Sequence, residues 1–214
     1  MFNIEPAAAA ELLRSKTAFI AGLGGLGGYV AEELARSGVG KIIAYDGDVF
    51  QESNLNRQLL SNKLLLGKSK FEALKERVER ISDTKVEGGQ VFISEDNIDE
   101  LACGCDIIID CCDNVKSRFA LQSYAEKKGL FLVHGAACGY LGQVSVISPG
   151  SGTLKKIYPK SEGTVGHTPA PAPAIVGSIE ASEALRVLLG LPSPILDKLL
   201  LIDLSSLTFV TLSL

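Results

Sequence analysis

The sequence predicts an α/β fold, a doubly wound and mainly parallel sheet with helices on both faces and an antiparallel pair at its carboxyl end. Three observations carry this. Short apolar runs alternate with segments of helical periodicity, the order that builds βαβ units. A glycine-rich turn joins the first apolar run to a helix. The last two apolar runs, 199–203 and 207–212, lie close together at the end of the chain. With 214 residues, the chain is long enough for one α/β domain with a complete core. A single domain spanning 1–214 is expected.

The elements follow in order. Pro6 stands in the first turn of a short helix ending at Arg14, with an alanine run behind it. Residues 17–22 form a buried strand, 28–37 a helix stopped at Gly38, and 41–45 a second strand that delivers Asp46 to its end. Residues 54–60 read as a short turn or helix. Phe71, Leu74, Val78 and Ile81 recur at helical spacing across 68–81. Strands are expected at 85–93, 106–111, 130–135 and 143–148, and a helix at 115–128. Residues 149–173 are rich in Gly, Ser, Thr, Lys and Pro, and are read as a mobile crossover loop. Within it, residues 169–173 are expected to be extended rather than helical. A helix over 174–189 precedes the final pair.

Composition excludes several classes. At 46% hydrophobic and 21% charged, the chain reads as an ordinary globular protein. A net charge of −4 argues against nucleic acid or an anionic membrane as a partner. The longest apolar stretch, 17–30, holds five glycines and is too short to span a bilayer. Five cysteines without a C-x-x-C pair fit reduced thiols and a cytoplasmic location.

Gly22-Leu23-Gly24-Gly25-Leu26-Gly27 contains G-x-G-x-x-G between a strand and a helix, the context that makes the sheet Rossmann-like. Gly22 permits the tight turn, Gly24 and Gly25 admit a phosphate to the backbone, and Gly27 lets helix and strand pack. The helix N-terminus offers N–H groups and a positive dipole end. Asp46 is placed to accept hydrogen bonds from ribose hydroxyls. The glycine loop alone does not separate ATP from NAD. Asn54, Arg57, Gln58 and Lys70 form a polar group that can hold phosphates, Arg57 as a fork and Lys70 as a point charge. Asp113 follows the fourth strand at the ligand edge and is the candidate magnesium ligand. Asn114 suits the N-cap of the next helix. Asp110 and His134 read as structural groups, and Cys111 and Cys112 as facing opposite sides of the strand.

These runs, with Asp46-Gly47-Asp48, Gly67-Lys68-Ser69-Lys70, Asp110-Cys111-Cys112-Asp113-Asn114, Gly142-Gln143, and Gly177, Glu180 and Ala181, resemble the MoeB/ThiF/HesA group, prokaryotic relatives of ubiquitin-activating enzymes. The resemblance implies an ATP-dependent adenylyltransferase. Its substrate would be the C-terminal glycine carboxylate of a small β-grasp sulfur-carrier protein ending in Gly-Gly, with pyrophosphate released, as in thiamine or molybdopterin synthesis. It further implies that Asp46 binds ribose, that Asn54, Arg57 and Lys70 bind phosphates beside Gln58, that Asp113 holds magnesium, and that the chain is a homodimer. Three departures bear on this. No C-x-x-C pairs are present, so no zinc is expected; 149–173 holds no cysteine for covalent transfer; and Arg14 lies outside the family's N-terminal arginine motif. Two other functions remain open from sequence: an NAD-dependent oxidoreductase and a catalytically inactive nucleotide-binding adaptor.

Overall fold

The computed structural model describes residues 4–160 and 168–214. Its strands are β1 (Thr17–Ala21), β2 (Lys41–Tyr45), β3 (Lys85–Gly89), β4 (Ile107–Asp110), β5 (Leu132–Cys138), β6 (Leu141–Ile147), β7 (Lys198–Asp203) and β8 (Thr208–Ser213). They form one sheet in the order β3-β2-β1-β4-β5-β6-β7-β8. The first five are parallel, and β6, β7 and β8 continue antiparallel. The helices are α1 (Pro6–Arg14), α2 (Gly27–Arg36), α3 (Lys70–Glu79), α4 (Ile98–Leu101), α5 (Val115–Lys128), α6 (Thr153–Ile157) and α7 (Pro171–Leu188).

Period-two alternation divides the core. Ala18 and Ile20 of β1, Ile42 of β2 and Ile107 and Ile109 of β4 face one side, where α2, α3 and α7 supply Val30, Leu34, Leu74 and Val176. Phe19, Ala21, Ile43 and Ile108 face the other, against Ile98 of α4, Leu121 and Tyr124 of α5 and Leu154 of α6. Both faces of β1, β2 and β4 are therefore covered, which is why these strands are continuous apolar runs, whereas β3 at the edge is polar and mostly exposed. β8 is different: every residue of it is exposed.

Several boundaries differ from the sequence expectation, each for a physical reason. β3 ends at Gly89 instead of continuing to 93, because its neighbour β2 ends at Tyr45, the partner of Gly89, and offers no strand beyond it. Residues 91–93 then run along the site. Residues 169–173 are not wholly extended: α7 starts at Pro171, so Pro171 and Pro173 occupy its first turn. There the missing N–H costs nothing. Residues 149–173 are not simply a loop, since α6 lies among them; the stretch 161–167, with His167, lies outside the described residues. α3 begins at Lys70, with extended Ser69 as N-cap. A 3-10 turn at Glu52–Asn54 opens the segment expected at 54–60. α4 was not expected from the sequence. Among the described residues, no helix is long and apolar enough to cross a membrane.

Candidate active site

Strand order reverses at β1, whose neighbours β2 and β4 lead in opposite directions across the sheet. Ligands of open α/β sheets bind in the crevice at such a point. Here the carboxyl ends of these strands open onto a cavity of about 1010 Å³. Its lining includes Gly22, Gly24, Gly25, Asp46, Asp48, Asn54, Arg57, Gln58, Lys70, Asp113 and Asn114.

The glycine loop is fixed by backbone contact. Gly22 sits at φ +89°, and a Cβ there would lie 2.8 Å from the Cys111 carbonyl oxygen. A Cβ on Gly27 would lie 1.9 Å from the Gly22 oxygen, so this glycine closes the turn itself. Gly24 and Gly25 face the cavity instead. Pro173 of α7 seats against Gly25, 3.2 Å from where a Cβ would be. No side chain caps α2 at Leu26.

Asp46 locks this loop to β2: Oδ2 accepts from the Leu23 N–H at 2.7 Å, and Oδ1 accepts from the Asp48 N–H at 2.8 Å. Lys70, only 4% exposed, donates to Asp48 Oδ2 at 3.0 Å and to Asp46 Oδ2 at 3.4 Å. An ammonium has three donors, so two carboxylates leave one for a phosphate oxygen. Asn54 caps its own 3-10 turn by accepting from the Gln51 N–H at 2.9 Å. Arg57 donates through Nη1 to the Ser53 carbonyl and to Asn56 Oδ1. Gln58 is buried beside Gly24, and its Oε1 has no hydrogen-bond partner among the described residues.

Asp113 is exposed and forms no ion pair among the described residues; Asn114 Nδ2 lies 3.4 Å from its Oδ1. Asn114 does cap α5, accepting from the Ser117 N–H at 2.9 Å. Gly24 and Gly25, which present no side chain to the cavity, the Gln58 Nε2 beside Gly24 and the Asp113 carboxylate suit a polyphosphate and its magnesium, the first three by N–H donors and the last as a hard oxygen ligand.

Behind Asp113 lies a buried polar group. His134 Nδ1 is 2.7 Å from Asp110 Oδ2, so the carboxylate fixes Nδ1 as the protonated nitrogen. Burial holds the His134 pKa below its ordinary value against the pull of Asp110. It is the satisfied core histidine expected from sequence. Asp110 Oδ1 accepts from the Cys112 N–H at 3.0 Å. Arg118 Nη2 donates to the Cys112 carbonyl at 2.7 Å, and Nη1 to the Tyr158 hydroxyl. Burial pushes the Tyr158 hydroxyl up to about 12, so it stays protonated. On the far side of β4, Cys111 Sγ lies 3.9 Å from Glu180, and burial raises both groups well above their ordinary values. Cys111 and Cys112 therefore do face opposite sides.

Arg118 and Tyr158 were missed from the sequence. Arg118 had a signal: it shares the buried face of α5 with Val115, Leu121 and Gln122, an unusual place for a cation. Tyr158 had none. Cys138 is half-buried at the cavity wall.

Residues 2–214 match the ThiF family. The chain belongs to that family. It is 31% identical over 219 residues to the SAMP-activating enzyme E1 of Haloferax volcanii, covering 99% of this chain and 81% of that protein. Against the molybdopterin-synthase adenylyltransferase of Haemophilus influenzae it is 34% identical over 201 residues, covering 90% and 83%. Adenylyl transfer is thus an activity in the names of this ThiF chain's relatives. The crystal structure of Escherichia coli MccB with MccA superimposes with a TM-score of 0.86 at 21% identity. The match covers 99% of this chain and 67% of that one, and it bears on the fold alone.

Proposed function

We propose that this chain is an ATP-dependent adenylyltransferase acting on the C-terminal glycine carboxylate of a small β-grasp carrier protein. The observation that carries this is the convergence of the glycine loop, Asp46, Arg57, Gln58, Lys70 and Asp113 on one cavity. A dinucleotide would use the loop and Asp46 but would leave Arg57, Lys70 and Asp113 without a shared task.

The carrier carboxylate is ionised at neutral pH, so no general base is needed. Its oxygen attacks the α-phosphorus. A carboxyl–phosphate bond forms as the bond from that phosphorus to the oxygen bridging to the β-phosphate breaks. The electron pair leaves with pyrophosphate. Asp46 would orient the ribose. The N–H groups at the start of α2, the remaining Lys70 proton, Asn54 and Arg57 would take up the charge that moves onto the departing group. Gln58 would hydrogen-bond the phosphate nearest Gly24. Asp113 would hold magnesium, which when bound neutralises phosphate charge. Asn114 sets the turn that presents Asp113.

Calorimetric titration with ATP plus magnesium, and separately with NAD, tests this. Binding of ATP is expected, weakened at least tenfold in Arg57→Ala and Asp113→Ala. Loss of such a preorganised partner would lower the rate by about 10²–10³. Binding of NAD alone would sink the proposal in favour of an oxidoreductase, and binding of neither would point to an inactive adaptor.

A further inference from the structure

The turn that carries Asp113 is held from behind, and the holding reaches into the crossover. The peptide of Cys112, one residue before Asp113, is gripped on both sides. Its N–H donates to Asp110 Oδ1 at 3.0 Å, and its carbonyl accepts from Arg118 Nη2 at 2.7 Å. Arg118 cannot choose its position freely. Its guanidinium lies 5.0 Å over the Tyr158 ring, and its Nη1 donates to the Tyr158 hydroxyl. That hydroxyl is itself fixed by Gln143 Nε2 at 2.7 Å and faces His134 Nε2 at 3.3 Å. With Nδ1 of His134 protonated toward Asp110, Nε2 is the acceptor, and it faces two donors, Gln143 Nε2 at 3.1 Å and the Tyr158 hydroxyl at 3.3 Å. Tyr158 follows α6 directly and brings the crossover into this group.

We propose that Tyr158 is a positioning residue that ties the crossover segment to the Asp113 turn through Arg118, so that seating the segment and placing the metal-facing carboxylate are one event. The physical basis is the removal of these polar groups from water. Charged and neutral partners that satisfy one another away from water lose more than one bond when a member is removed. α6 is seated by buried Thr153 and Leu154, by Thr153 Oγ1 donating to Asp197 and by Lys156 Nζ donating to the Leu214 carbonyl, while the Tyr158 hydroxyl after it makes the link to Arg118 and the Asp113 turn. The functional half of this inference rests on Asp113 facing magnesium, as proposed above.

The test uses the full chain and Tyr158→Phe, which keeps the ring over Arg118 and removes only the hydroxyl; Arg118→Lys serves as a second variant. Hydrogen exchange is read at the Cys112 and Ser117 amides in the absence of nucleotide, and the magnesium dependence of ATP binding is read by calorimetry. Exchange at the turn should rise about two- to tenfold in Tyr158→Phe, the range set by one hydrogen bond. The β1 and β2 amides should stay unchanged. The magnesium needed for half-maximal ATP binding should rise several-fold, and the double variant should add little to Arg118→Lys. Unchanged exchange at the turn would overturn the inference, as would faster exchange with an unchanged magnesium requirement. If the unaltered chain binds no ATP, the adenylation proposal fails, and the exchange measurement alone decides whether the clamp exists.

Discussion

Glu180 is a carboxyl removed from water, with the Cys111 thiol beside it and Gly135 leaving just enough room for its head. Burial raises its pKa well above the carboxylate range, and the nearby Asp110 charge raises it further. In the unfolded chain it would ionise near pH 4.3. Above that pH the native state holds a proton that the unfolded state has released, so stability falls as pH rises. The slope approaches about 1.4 kcal/mol per pH unit for one proton. Glu180→Gln keeps the shape and does not titrate. Its stability advantage over the unaltered chain should grow between pH 5 and pH 8, measured from urea midpoints; a difference flat with pH would mean that Glu180 is charged in the fold. This behaviour was not legible in the sequence, where Glu180 entered only as part of a family motif. Asp113 and Asn114 were legible, since a carboxylate and an N-cap after an apolar strand have few other places to point. Arg118 was missed although it shares the helical spacing of Val115 and Leu121, because helix cations are normally solvated.

Among elements, the strand–glycine–helix unit separates positions that build the turn from positions that meet a ligand. Gly27→Ala would drive a Cβ to within 1.9 Å of the Gly22 carbonyl oxygen, and no rotamer relieves a clash with backbone. It should cost about 1–3 kcal/mol of stability together with ATP binding. At Gly24 a Cβ would have as its nearest neighbour Gln58 Nε2, at 3.6 Å. Gly24→Ala should therefore melt close to the unaltered chain while weakening ATP, because the methyl group would occupy the space proposed for phosphate. Thermal melts beside calorimetry separate the two, and equal stability losses would refute the division of roles. Strands and long helices were readable from periodicity, which depends on residues near in sequence. The turns were less so. Pro171 and Pro173 predict extended chain locally, yet both fit the first turn of a helix whose later residues pack on the sheet. α4 and α6, at four and five residues, are too short to carry a periodic signal.

Across the whole molecule the cavity has two differently built halves, and the antiparallel extension is what supplies the second. Beyond Asp113 its wall is the face of β6, β7 and β8 that holds two transverse rows, Gln143–Leu201–Val210 and Leu141–Asp203–Thr208. Leu141 is 58% exposed, Val210 44% and Leu201 37%, whereas β1, β2 and β4 are sealed on both faces. These rows line the same cavity as the glycine loop and Asp46, on strands that lie beyond β4 and β5 from β1 and β2. An apolar surface continuous with the site suits the body of a carrier whose tail enters toward the phosphates. If so, the halves should fail separately. Val210→Asp and Leu201→Asp place a charge on a surface already in contact with water, so stability should change by roughly 0.5 kcal/mol or less. ATP binding should be retained. Carrier-dependent exchange of pyrophosphate into ATP should show a carrier KM raised at least tenfold, because a desolvated carboxylate would sit inside the contact. Arg57→Ala should give the opposite pattern, with weak ATP and an intact carrier contact. A carrier KM left untouched by both aspartates would move the docking surface elsewhere, leaving the β6–β8 face to be explained by contact with something other than the substrate.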